Sequence, residues 1–158
     1  MYGNGEIIVA AHPRGHFREF YISSTPKPGV ALEIVPATAL VNGRETMRVI
    51  TRATGAKGEV IVLTNDSMQG KTYDDAYVSG TRAFGYDPVG GEEMNMRVAD
   101  VSGTGDDVAI GDLFGIEQNT GKLKANSSYT SAPFSAMETV TDPAADYLLF
   151  CRYLGQQA

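Results

Sequence analysis

The chain offers few groups that could do chemistry, and their spacing decides what each could do. His12 and His16 stand four apart, a metal-ligand spacing only if a helix holds them. Gly15 weakens such a helix, and no cysteine or carboxylate cluster adjoins them before Glu19. Asp74-Asp75 and Glu92-Glu93 could be paired carboxylates for glycoside cleavage. Neighbouring strand residues point to opposite faces, so neither pair acts alone, and a pair would have to be assembled across the fold. Asp100, Asp106, Asp107 and Asp112 lie in a glycine-rich loop, where calcium would find oxygens but not the ordered spacing and closing glutamate of an EF-hand. The serines of Ser79-Gly80 and Ser102-Gly103 follow valines and make no Gly-x-Ser-x-Gly elbow, and Gly80–Gly85 lacks the Lys-Ser/Thr ending of a phosphate loop. Cys151, set among Leu149, Phe150 and Tyr153, reads as strand filler. No catalytic group, cofactor or metal site is expected.

The framework around these groups reads as many short strands. Val30–Val35 is one, and Asn42-Gly43 is a hairpin turn, because both residues tolerate positive φ. Arg44–Ala53 carries β-branched Thr46, Val49, Ile50 and Thr51 and reads as a strand, although Arg44, Arg48 and Arg52 would also line up on a helix. Gly55 and Gly58 bracket a turn before the strand Glu59–Thr64. Asp66–Gly80 is a polar loop with a short strand expected at Ala76–Val78. Arg82–Tyr86 is the next strand, and Met94, Met96 and Val98 alternate with polar residues in another. Asn119-Thr120-Gly121 joins Leu113–Glu117 to Lys122–Ala125 as a hairpin. Phe134, Ala136 and Glu138 share one strand face, and Thr141-Asp142-Pro143 leads into a closing strand, Tyr147–Leu154. Short strands at roughly 8–12-residue spacing imply an all-β barrel or sandwich.

The totals agree. A polypeptide of 158 residues buries enough surface, roughly 70% of that of its unfolded form, to fold without disulfide or metal. A net charge of −6 disfavours nucleic acid, whose affinity comes from Lys and Arg. No basic amphipathic stretch and no apolar run of roughly 20 residues points to a membrane. Ile7–Ala11 is too short for a signal segment.

Residues 1–28 differ from the rest, with Gly3, Gly5, His12-Pro13, Gly15 and Thr25-Pro26-Lys27-Pro28. They read as an extended N-terminal arm ahead of a barrel domain over 29–158. The arm's Phe17, Phe20, Tyr21 and Ile22, with Pro26 fixing their path, either pack on the protein's own core or anchor in a partner.

Val62-Leu63-Thr64-Asn65-Asp66 leading to Gln69–Tyr77 resembles the small head-decoration, or capsid cement, proteins of tailed bacteriophages. Further matching segments follow in order: Gly80 before Phe84, Pro88 and Gly90-Gly91-Glu92, then Ala109–Phe114 before Asn119–Leu123, then Pro133–Val140 before Leu148–Arg152. The resemblance covers about residues 30–154; the arm has no counterpart in it. It implies a small β-barrel or β-tulip-like domain of short antiparallel strands. It implies a virion protein made in the host cytoplasm, bound to the major capsid protein on the outer surface of the head and stabilising the expanded, DNA-filled shell. Its partners would be that capsid protein and itself, as a homotrimer or a dimer. Deleting residues 1–28 is then expected to leave a folded barrel that no longer binds heads. Three other readings stand beside it: a tail or fibre module, a carbohydrate-binding β-sandwich (disfavoured by the absence of Trp), and a hydrolase or lyase using Glu92 or Asp107.

Overall fold

The computed structural model describes residues 7–10, 15–36, 39–51, 60–99, 107–125 and 132–155. They form eleven strands: β1 (Ile8–Ala10), β2 (His16–Ile22), β3 (Ala31–Ile34), β4 (Thr46–Val49), β5 (Ile61–Thr64), β6 (Arg82–Asp87), β7 (Glu93–Arg97), β8 (Leu113–Ile116), β9 (Leu123–Ala125), β10 (Phe134–Ala136) and β11 (Leu148–Tyr153). One 3₁₀ turn, η1, spans Ser67–Gln69. The fold is all-β, as expected.

The strands divide between two sheets. β2, β4, β3, β5 and β6 close into a barrel, and β1-β7-β11-β10-β8-β9 make an open six-stranded sheet. The apolar pattern explains both. Along β5 every residue is buried, because the strand has a core on each side. Ile61 and Leu63 join Phe20, Ile22, Val30, Leu32, Met47 and Ala83 inside the barrel. Val60 and Val62 turn the other way and meet Met94, Met96, Phe114, Phe134 and Leu149 of the open sheet. One wall therefore serves two cores. The barrel is so narrow that a Cβ at Gly85 would lie 2.8 Å from both Ile61 and Phe20. Phe20 fills the lumen that glycine leaves free.

The barrel pairs its strands antiparallel except at one seam. β2 runs parallel to β4, with Tyr21 opposite Thr46 and Ile22 opposite Met47. This departs from the expectation of antiparallel strands throughout, and the reason is topological. A closed ring of five strands cannot alternate direction at every step, so at least one neighbouring pair must run parallel. The remaining four contacts, β4–β3, β3–β5, β5–β6 and β6–β2, all alternate.

Residues 16–22 are thus a stave of the barrel. They pair with β6 in continuous register, from His16 opposite Asp87 to Tyr21 opposite Arg82. The boundary expected at residue 28 does not separate an arm from a domain here, because removing residues 1–28 would remove one wall of the barrel. Arg97 ties the following segment down. Its guanidinium is buried and donates to the carbonyls of Pro28 (2.8 Å), Asp146 (3.0 Å) and Tyr73, and to the Asp74 carboxylate (3.3 Å). One arginine therefore joins the 24–29 segment, the 66–80 loop and the end of the sheet.

Most of the expected turns lie where the sequence puts them. Asn42 and Gly43 both adopt positive φ, 50° and 77°, and Val41 and Arg44 exchange two backbone hydrogen bonds across them. Asn119 and Gly121, each at 69°, turn β8 into β9. Ala76–Val78 is not a strand. Tyr77 N donates to the Pro26 carbonyl and Tyr77 Oη to that of Thr64, so this stretch is held by single hydrogen bonds instead of a ladder. The expected turn at Gly55–Gly58 lies outside the described residues.

Candidate binding surface

The alternation of β2 sets out the surface. Phe20 and Ile22 point into the barrel core, while Phe17, Glu19 and Tyr21 lie on its outer side. Phe17 is 67% exposed and rests its inner edge on Tyr86 of β6, with ring centroids 4.8 Å apart. Tyr86 is a rigid base for that ring. It is fully buried, and its hydroxyl donates to Glu92 Oε1 at 2.7 Å, while Glu92 Oε2 accepts from Val89 N at 2.7 Å. Burial, and then the hydrogen bond to the Glu92 carboxylate, push the Tyr86 phenol well above its ordinary range.

An open, mainly apolar groove of about 450 Å³ runs beside Phe17, lined by Ile7, Ile8, Phe84 and Met68 together with the polar run Thr64-Asn65-Asp66-Ser67. Met68 is 89% exposed, an extreme value for a large apolar residue. The 3₁₀ turn η1 presents it. Asp66 caps that turn by accepting from Gln69 N at 3.2 Å, and Gly70 closes it in the left-handed region at φ 70°. Tyr77 braces the same loop, and burial raises its pKa to about 12. The groove therefore combines an aromatic ring and a thioether on anchored backbone. Such a surface suits burial against an apolar partner.

Beside the groove the barrel wall is laced with ion pairs. Glu19 accepts from Arg44 at 2.7 Å and faces Arg82 at 3.0 Å, and Arg18 meets Glu45 at 2.6 Å. Glu33 takes Thr51 Oγ1 at 2.6 Å, Thr51 N at 3.0 Å and Arg48 at 3.1 Å. Burial alone would raise its pKa, but the two Thr51 bonds and Arg48 outweigh burial and hold the carboxyl below the ordinary glutamate value.

Of the five residues expected to contact a partner, Phe17 alone is widely exposed. Phe20 and Ile22 are fully buried. Tyr21 is half-buried, and its hydroxyl accepts from Asn42 Nδ2 at 2.8 Å. Pro26 is half-buried, and its carbonyl accepts from Tyr77 N. Sequence reasoning missed Met68 and Phe84. An apolar residue inside the polar turn Asp66-Ser67-Met68-Gln69-Gly70 is the signal that could have found Met68.

The candidate chemical groups are occupied with structure. Glu92 is buried on Tyr86, while Glu93 points the other way to Arg152 at 2.8 Å, so the pair does not converge. Asp75 caps Thr72, and Asp74 faces Arg97 and Lys27. Asp112 Oδ2 accepts from Ala109 N, and Asp107 Oδ1 from Asp142 N, both as turn-builders. Cys151 is buried with its thiol on the Met94 carbonyl, and burial pushes its pKa up. Among the described residues no group of His, Cys, Asp or Glu is arranged to hold a metal ion. His16 is exposed at the start of β2; His12, Ser102, Asp100 and Asp106 lie outside the described residues.

A five-stranded barrel joined to an open sheet, with an apolar groove on the barrel wall, is the architecture these residues define. No protein-family model matches the sequence, and no curated protein does. A similar solved structure is the crystal structure of the head fibre gp8.5 N base in bacteriophage phi29. The two align with a TM-score of 0.54 and 9% identity, over 91% of this chain and 98% of that one. At that identity the likeness is one of fold.

Proposed function

We propose that the protein is a structural component of a bacteriophage virion, mounted on the outer surface of the head and docked through the groove around Phe17. The observation that carries this reading is the shared fold, which extends along nearly the whole of both this chain and the phi29 head-fibre base. The ordered set of turns and strands resembling head-decoration proteins supports the same assignment. The groove supplies the physical means, because an exposed Phe and Met on rigid backbone gain by leaving water. The partner in this reading is the major capsid protein, bound by a homotrimer or a dimer, and the gain for the shell is added contact area across its seams. Several modest contacts linked in one oligomer add up to firm attachment.

A second reading, a fibre base, is favoured by the name of the structural neighbour itself. It shares the head as mounting point but carries a further protein instead of bracing the shell. Heating particles with and without the protein separates the two. A brace raises the temperature at which DNA-filled heads rupture, whereas a fibre mount binds and leaves that temperature unchanged. A protein that does not sediment with heads at all overturns both.

A further inference from the structure

We propose that Asn42 is a self-modification site, at which the folded protein converts its own amide to aspartate and isoaspartate as it ages. Asn42-Gly43 forms an exposed two-residue turn between β3 and β4. The reaction needs the Gly43 backbone nitrogen to attack Cγ of Asn42. A ring C–N bond forms, the Cγ–Nδ2 bond of the amide breaks, and ammonia leaves with the proton given up by the Gly43 nitrogen. Water then opens the succinimide at either carbonyl, giving aspartate or isoaspartate. The sum is amide plus water to acid plus ammonia, with no oxidant or catalyst.

Three features favour it. Gly43 N–H takes no part in the two bonds that close the turn, which run between Val41 and Arg44. Outside Asn42, Gly43 and Arg44, no heavy atom lies within 4 Å of where a Gly43 Cβ would stand, so no other part of the fold packs against that side of the glycine. The turn sits at a tip whose neighbours Leu40 and Val41 are themselves exposed, so little packing resists its opening. One feature opposes it. Asn42 Nδ2 donates to the Tyr21 hydroxyl at 2.8 Å, which ties the leaving amide to β2. A single neutral hydrogen bond at the surface slows the reaction without preventing it.

The product changes the barrel wall. A carboxylate at position 42 cannot donate to Tyr21, and it arrives two residues from Arg44 and beside Tyr21, whose register partner is Arg82. Both cations already serve Glu19. The new charge competes for them and loosens that clamp.

The test uses the full purified protein, kept folded at neutral and at mildly alkaline pH, then digested with trypsin. Residues 19–44 leave as one peptide whose sole asparagine is Asn42, because Lys27 is followed by Pro28; residues 1–14 hold the second Asn-Gly pair, Asn4-Gly5, as an internal reference. The expected result is that the 19–44 peptide gains the mass of an amide-to-acid exchange, faster at the higher pH. It should split into two isomers, one co-eluting with the peptide from Asn42→Asp. Tyr21→Phe, checked for an unchanged melting transition, should speed the conversion roughly two- to tenfold, the range one net hydrogen bond supplies. A 19–44 peptide that keeps its mass in the folded protein overturns the proposal, whether or not the 1–14 peptide reacts. An unchanged rate in Tyr21→Phe overturns the restraining role of Tyr21.

Discussion

Replacing Phe17 with alanine separates docking from folding. In the free protein this ring is 67% exposed, and its contact inside the fold is the tilted pairing with Tyr86. Complete burial of a phenylalanine is worth about 1.5–3 kcal/mol, so the two-thirds open to a partner can contribute about 1–2 kcal/mol. At about 1.4 kcal/mol per factor of ten, Phe17→Ala should weaken docking roughly five- to thirtyfold per contact, and more in an oligomer that uses several copies at once. The cost to stability is the lost aromatic pair, about 0.5–1.5 kcal/mol. Phe20→Ala, three residues along the same strand, should behave in the opposite way. It empties the barrel lumen and costs about 3–5 kcal/mol, a large part of the roughly 5–15 kcal/mol that keeps a domain folded. The assay pairs thermal unfolding of each variant with sedimentation against DNA-filled heads lacking the protein. If Phe17→Ala still unfolds in one cooperative transition and binds heads as tightly as the native protein, the groove is not the docking surface.

Three further outcomes follow from the same geometry. Arg97→Met should cost about 3–5 kcal/mol, read as a lower urea midpoint, because it removes the buried guanidinium that joins the carbonyls of Pro28, Tyr73 and Asp146 and strands that of buried Pro28; Arg97→Lys should not restore it, since an ammonium cannot span those acceptors. Glu33 has its folded pKa below the ordinary 4.5, so its stabilisation is fully present above that value and drains away as pH falls through the lower folded value. The stability gap between the native protein and Glu33→Gln, measured by chemical denaturation, should therefore be constant near neutrality and shrink below about pH 4.5. Cys151, buried with its thiol pKa raised, should react with a thiol reagent no faster than the protein opens; rapid labelling of the folded protein would contradict its placement.

Much of the fold was legible because local chemistry and global packing agree. Asn42-Gly43 and Asn119–Gly121 announce turns, since few other residues accept positive φ. The apolar run through Ile61–Thr64 announces a strand buried on both faces. What was hidden involves residues that serve two surfaces. In β2 the inner phase carries Arg18, Phe20 and Ile22 and the outer phase Phe17, Glu19 and Tyr21, so aromatics fall on both sides and the two-residue period is lost. With Pro26 and Pro28 close behind, the segment reads as a free arm. Its place in the barrel depends on β6, some sixty positions on, and no local pattern encodes that pairing. The parallel β2–β4 seam was invisible for the same reason, being a consequence of ring closure. The groove was half legible. Phe17 stands out in the sequence as part of an apparent arm; Met68 does not stand out, because its turn is otherwise polar.

Electron cryo-microscopy of heads saturated with the purified protein decides whether it mounts on the outside of a phage head by the Phe17 groove. Barrel-shaped density should stand on the outer surface in symmetric positions, with Phe17 and Met68 turned toward the coat protein. Heads whose outer surface stays bare, or bound barrels whose groove faces solvent, would contradict that mounting.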